Sequence, residues 1–202
     1  MNLSVKDLSC QRGERLLFEH VSFQLEPHQW CHVTGENGAG KTSLLRLCAG
    51  LSSPLSGSIS WGGVNIPDDL DGFHKDLLYL GHASGLKEEL TPLENLTLMS
   101  QIDGQPATED TILSVLSFWG LAGREDLPVR VLSAGQRRRV LLSRLLLKSC
   151  PLWILDEPFN ALDKKAINTL YDLLTNHVSK GGLLLVTSHQ PMEMAEGIVL
   201  SL

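Results

Sequence analysis

The segment Gly35-Glu36-Asn37-Gly38-Ala39-Gly40-Lys41-Thr42 constrains the fold more than any other part of the chain. It fits the phosphate-binding pattern G-x-x-x-x-G-K-[ST] at each fixed position. His32-Val33-Thr34 ends an apolar, strand-like stretch before it, and Ser43-Leu44-Leu45-Arg46-Leu47 opens a helix after it. A glycine-rich turn in that setting points successive backbone N–H groups inward, at a helix N-terminus that already favours negative charge. The residues from Gly35 through Glu36, Asn37, Gly38, Ala39 and Gly40 to Lys41, Thr42 and Ser43 are therefore expected to cradle a nucleotide's phosphates. Lys41 is expected to reach the β- and γ-phosphates, and the Thr42 hydroxyl to face Mg²⁺.

Around this loop the sequence alternates strands and helices. Strands are expected at Leu3–Ser9, Val21–Leu25, Trp30–Thr34, Leu77–Leu80, Leu152–Leu155 and Leu183–Thr187, and the segment Ser56–Gly63 is expected to be a strand with glycine turns at both ends. Helices are expected from Lys41 to about Ala49 and from Asp163 to Ser179. The region of about 90–150 breaks the alternation. Thr91-Pro92-Leu93-Glu94 and Ser133-Ala134-Gly135-Gln136 are capping boxes, and Thr108 can start a helix running towards Trp119. The helix opened at Ser133 is expected to run unbroken to about Lys148. The fold class is thus α/β, with a mostly parallel sheet and helices on its faces, a β-rich N-terminal part and an inserted helical subdomain. All 202 residues are expected to form one domain.

Two further segments carry chemistry. Leu152-Trp153-Ile154-Leu155 is an apolar strand that delivers Asp156 and Glu157 to the ligand edge of a parallel sheet. Asp156 is suited to Mg²⁺ and Glu157 to orienting and deprotonating an attacking water. His189 follows the apolar strand Leu183–Thr187 and is placed to bond a γ-phosphate. Ser133 and Gly135, at a helix start, make a second anion site with Gln136. One chain holds one phosphate loop and one such second site, so if both face a single nucleotide the second comes from another subunit.

The formal charge of −6 argues against broad electrostatic binding to nucleic acid or to anionic lipid. Direct nucleic-acid binding is not expected, and Arg137-Arg138-Arg139 reads as a partly solvated helix face. No run approaches the roughly 20 apolar residues of a membrane span. The N-terminal residues show no basic start followed by an apolar core, so a signal peptide is not expected. Cys10, Cys31, Cys48 and Cys150 are scattered and read as reduced, mostly buried thiols.

The combination resembles the nucleotide-binding subunits of ATP-binding cassette transporters, which implies a P-loop NTPase core with an N-terminal antiparallel β subdomain and an inserted helical subdomain. Leu132-Ser133-Ala134-Gly135-Gln136 is similar to the family signature, with alanine in place of the commoner middle glycine. Gly35 to Thr42 resemble its phosphate loop, and Asp156 and Glu157 its metal and catalytic carboxylates. Ala161-Leu162-Asp163 resembles the loop that communicates across the dimer, and His189 the switch histidine. The resemblance covers the chain from about Leu3 to Leu202. It implies a homodimer with ATP between the subunits, Mg²⁺ as cofactor, and catalysis by Glu157, His189 and Lys41. It also implies polytopic membrane partners.

Gly81–Lys87, Leu90–Leu96, Trp153–Phe159 and His189-Gln190-Pro191 carry a narrower resemblance, to the ATP-binding subunits of bacterial cytochrome c maturation haem exporters. That implies a peripheral place on the cytoplasmic face of the inner membrane, held through protein partners. Two positions depart from the family. Ala83 stands where the family usually has a glutamine that meets Mg²⁺ and senses the membrane subunit, and Arg12 stands where an aromatic side chain usually stacks on adenine. A guanidinium plane can stack on a base, so Arg12 counts among the nucleotide-binding candidates, beside the reading as an exposed turn residue. A small-molecule kinase shares the phosphate loop but leaves Leu132–Gln136 and His189 unexplained. A regulatory binding module leaves Glu157 unexplained.

Overall fold

The structure, a computed structural model, describes residues 1–82, 85–189, 191, 192, 194 and 197–202. Ala83 and Gln190 lie outside the described residues. In chain order the elements are β1 (Leu3–Arg12), β2 (Arg15–Leu25), β3 (Trp30–Thr34), α1 (Lys41–Cys48), β4 (Ser56–Trp61), β5 (Val64–Asn65), α2 (Leu70–Lys75) and β6 (Leu77–Leu80). They continue with α3 (Pro92–Ile102), α4 (Glu109–Phe118), α5 (Ala134–Leu142), α6 (Arg144–Leu147), β7 (Leu152–Asp156), α7 (Lys164–Ser179), β8 (Leu183–Thr187) and β9 (Ile198–Ser201).

The chain divides into two compact units. The first comprises residues 1–81, 150–157 and 171–202, and holds both sheets. One sheet is antiparallel, in the order β2-β1-β4-β5. The other is parallel throughout, in the order β6-β7-β8-β3-β9. β7 and β8 are buried along their whole length, as continuous Leu/Ile/Val runs at the centre of a parallel sheet should be. α1 buries Leu44, Leu45, Leu47 and Cys48 in the same core.

The second unit comprises residues 82–149 and 158–170. Both capping boxes form there. Thr91 Oγ1 accepts from the Glu94 N–H at 3.1 Å while Glu94 accepts from the Thr91 N–H at 2.8 Å. Ser133 and Gln136 make the equivalent pair at 3.2 and 2.8 Å. Asp103 ties α3 to α6, accepting two bonds from Arg144 at 2.9 and 3.0 Å and one from Lys148 at 3.3 Å.

Several elements differ from expectation, each for a physical reason. β1 runs on to Arg12 and β2 starts at Arg15, because the two close a tight hairpin whose turn is Gly13-Glu14. Gly57 lies inside β4 rather than in a turn, with φ +88° where the strand presses on the Asp7 backbone. The helix begun at Ala134 is interrupted at Ser143, whose hydroxyl bonds back to the Arg139 carbonyl at 3.1 Å and competes with the helical ladder. α2, β5 and β9 were not expected. Cys10, Cys31 and Cys48 are buried and Cys150 partly so, and all four are free thiols.

Candidate active site

The phosphate loop joins β3 to α1 as its sequence requires. Gly35, Gly38 and Gly40 have φ of +141°, +85° and +106°, a region that L side chains rarely adopt. At Gly40 a side chain would be crowded as well. A Cβ there would stand 3.0 Å from the Phe18 ring and 3.1 Å from Leu17 Cβ, so β2 lies directly along the loop. Glu36, Asn37 and Gly38 are exposed at its tip, and Ala39 and Ser43 are half-buried. The Lys41 ammonium rests on the loop's own carbonyls, donating to Gly35 O at 2.7 Å and Glu36 O at 3.1 Å.

One chain of hydrogen bonds joins the ends of three elements. Thr42 Oγ1, at the start of α1, donates to Asp156 Oδ2 at 2.8 Å. Thr187 Oγ1, at the end of β8, donates to Asp156 Oδ1 at 2.8 Å and accepts from the Glu157 N–H at 2.9 Å. Asp156 is 1 % exposed, and its carboxylate accepts a hydroxyl on each oxygen, which offsets the cost of burying the charge. The parallel register that pairs Asp156 with Thr187 creates this contact.

Glu157 is the next residue and has φ +48°. A glutamate in that conformation stores strain of about 1–3 kcal/mol, of the kind that concentrates at functional sites. The bend turns the chain out of β7, and Glu157 remains buried. His189 Nε2 lies 3.4 Å from Glu157 Oε1, with the histidine side chain more than half exposed. The strand ends thus bring Lys41, Thr42, Asp156, Glu157 and His189 together in the first unit. Thr187, absent from the expected set, is the residue that links the two carboxylate positions. Nothing in its sequence context marks it beyond its place at the end of an apolar strand.

A hydroxyl and a carboxylate in contact are hard oxygen donors, and Mg²⁺ takes one or two such ligands together with substrate phosphates. Thr42 and Asp156 fit that description. Among the described residues there is no group of three or more His, Cys, Asp or Glu side chains that could hold a metal on its own.

Ser133, Gly135 and Gln136 sit in the second unit. Gly135 leaves no room for a side chain without a backbone shift: a Cβ on it would stand 2.6 Å from the Ala161 carbonyl oxygen. Ala161 itself has φ +63°, so a second strained residue aims that carbonyl at the signature glycine. Arg139 donates to the Trp119 carbonyl at 3.1 Å and Arg138 to the Pro158 carbonyl at 3.2 Å, so both arginines work within the unit. Arg12 is exposed at the β1–β2 turn, directly opposite Arg15.

Comparisons with known proteins show the family. Residues 18–160 match the family described as ABC transporter. The chain is 47 % identical over 190 residues to the cytochrome c biogenesis ATP-binding export protein CcmA of Vibrio vulnificus, covering 94 % of this chain and 93 % of the relative. It is 47 % identical over 197 residues to the protein of the same name from Dechloromonas aromatica, covering 98 % and 97 %. The solved structure of an ATP-binding subunit of an ABC transporter superposes with a TM-score of 0.84 at 30 % identity, covering 94 % of this chain and 80 % of that one. Fold, site and relatives converge, and the chain belongs to the ABC transporter family.

Proposed function

We propose that the chain is the ATP-hydrolysing motor subunit of a transporter complex serving c-type cytochrome biogenesis, powering haem export or the release of a haem-loaded carrier. The observation that carries the ATPase reading is the bonded series Thr42–Asp156–Thr187–Glu157, which sets one carboxylate beside the phosphate loop and the next on a strained turn. The c-type cytochrome reading is supported by near full-length relatives named for that process.

In this reading the backbone amides of the loop and Lys41 hold the β- and γ-phosphates. Glu157 orients the attacking water and accepts its proton, and His189 holds the γ end. Thr42 and Asp156 are the protein ligands for Mg²⁺, which when bound offsets phosphate charge. Ser133, Gly135 and Gln136 of one copy close over the nucleotide of a second copy, so that ATP joins the dimer and hydrolysis releases it. Movement passes from this cycle to polytopic membrane partners. Among the described residues no helix is long and apolar enough to cross a membrane, and the subunit is assigned to the cytoplasmic face of the inner membrane through those partners.

The test is covalent c-type haem in membranes of the native bacterium, read on a haem-stained gel for wild type and Lys41→Ala. Loss of c-type cytochromes with the variant protein still present supports the assignment. Unchanged c-type haem removes it and leaves the ATPase reading standing.

A further inference from the structure

The β1–β2 hairpin holds a charge arrangement that folding alone does not explain. Arg12 and Arg15 are directly opposed across its two-residue turn. Like charges in that relation destabilise a hairpin. Both are exposed, and among the described residues no carboxylate pairs with either. A pair of unneutralised guanidinium groups held side by side suits an anion.

The position of Arg15 says which anion. A Cβ built on Gly38 would stand 3.8 and 3.9 Å from the two terminal nitrogens of the Arg15 guanidinium. The guanidinium therefore presents its two terminal nitrogens to the tip of the phosphate loop. It is held there by the backbone of β2, because Leu17 and Phe18 on the same strand pack against Gly40 further along the loop. The loop's other cation, Lys41, lies at the opposite end of the motif on the Gly35 and Glu36 carbonyls. The glycine at position 38 leaves the approach between guanidinium and loop open.

We propose that Arg15 is a second phosphate-binding cation of the nucleotide site, set on β2 beside Gly38 to grip the polyphosphate of bound ATP. This rests on the nucleotide-site reading given above. The guanidinium offers two parallel donors to phosphate oxygens, a geometry that lysine does not reproduce. Its role is in holding nucleotide rather than in cleaving it.

The test is calorimetric titration of the full-length protein with ATP in the presence of Mg²⁺, for wild type, Arg15→Ala, Arg15→Lys and Lys41→Ala. Melting temperatures are taken with and without nucleotide. Arg15→Ala is expected to weaken ATP binding about ten-fold, the scale of a charge-assisted hydrogen bond in a partly exposed site, with Arg15→Lys between it and wild type. The nucleotide-free melting temperature of Arg15→Ala is expected to stay level or rise, since the like-charge pair is relieved. ATP affinity of Arg15→Ala equal to wild type, with Lys41→Ala abolishing binding, overturns this proposal and leaves the site reading intact. An affinity loss accompanied by a lowered nucleotide-free melting temperature marks Arg15 as structural and also overturns it. Failure of the wild type to bind ATP overturns the site reading and this proposal with it.

Discussion

Thr42 and Asp156 stand 114 residues apart in the chain and share a hydrogen bond of 2.8 Å. That bond spans from the first turn of α1 to the end of β7, and it forms because two strands of one parallel sheet, β3 and β7, end at the same edge. Both strands are largely buried, and the site's polar residues lie at or just past their C-terminal ends. The chemistry of the site is a consequence of where parallel strands stop.

Thr187 is the unannounced member of this arrangement, and Thr187→Val tests it. Valine keeps the volume and removes the hydroxyl that serves Asp156 and the Glu157 N–H. The buried Glu157 amide then lacks that acceptor, at a cost of about 1–3 kcal/mol. The expected result is a lower melting temperature and ATP hydrolysis reduced on the order of ten-fold, through looser placement of Glu157. Thermal melts and steady-state phosphate release measure both.

Gly135→Ala addresses the second unit. The added methyl meets the Ala161 carbonyl at 2.6 Å, so the start of α5 or the 161–163 turn must shift. Phosphate-loop contacts in the first unit are untouched, so ATP binding by the single chain should persist. Hydrolysis that depends on a paired signature segment should fall on the order of ten-fold or more, since misplacement of about an ångström is costly. Equilibrium ATP binding and phosphate release, measured on the same preparation, separate the two effects.

His177 gives the fold a defined acid sensitivity. Its ring stacks on Trp153 with centroids 3.7 Å apart and planes 3° from parallel, and Nε2 bonds the Leu183 carbonyl at 3.2 Å. Burial pushes its pKa down from 6.5 to about 4, against smaller opposing contributions from the Leu183 and Pro151 backbone. The folded pKa is depressed, so between these two values the unfolded chain binds a proton that the folded chain refuses. Stability is therefore complete above the ordinary histidine pKa and declines as pH falls through that window. Between pH 7.5 and 5.5 this one group should remove on the order of 1 kcal/mol, and His177→Phe should lose correspondingly less over the same interval. Urea unfolding at the two pH values checks the difference.

Much of this was legible in the chain because the signals are local. β3, β6 and β8 occupy the residues their apolar runs mark, and the two capping boxes close between the side chains that name them. What escaped depends on distant partners. β9 is a strand because it lies beside β3, which precedes it by more than 160 residues. The first half of β2 is too exposed and charged to read as a strand until β1 pairs with it. α2 has a usable signal in Asp69, whose carboxylate caps it by accepting from the Gly72 N–H at 3.0 Å, but its single buried side chain, Phe73, leaves little periodicity to read. The same division holds at the site. Lys41, Thr42, Asp156 and Glu157 sit in motifs, whereas Thr187 and Arg15 matter only through neighbours that the fold supplies.

The central claim is that Glu157, on its strained turn, acts on the attacking water and does not hold the nucleotide. The direct measurement is single-turnover ATP hydrolysis by Glu157→Gln alongside wild type, with bound nucleotide identified by chromatography. The account predicts that the variant retains ATP with undiminished affinity and hydrolyses it roughly a hundred-fold or more slowly, the scale of a lost general base. Hydrolysis at the wild-type rate would contradict it.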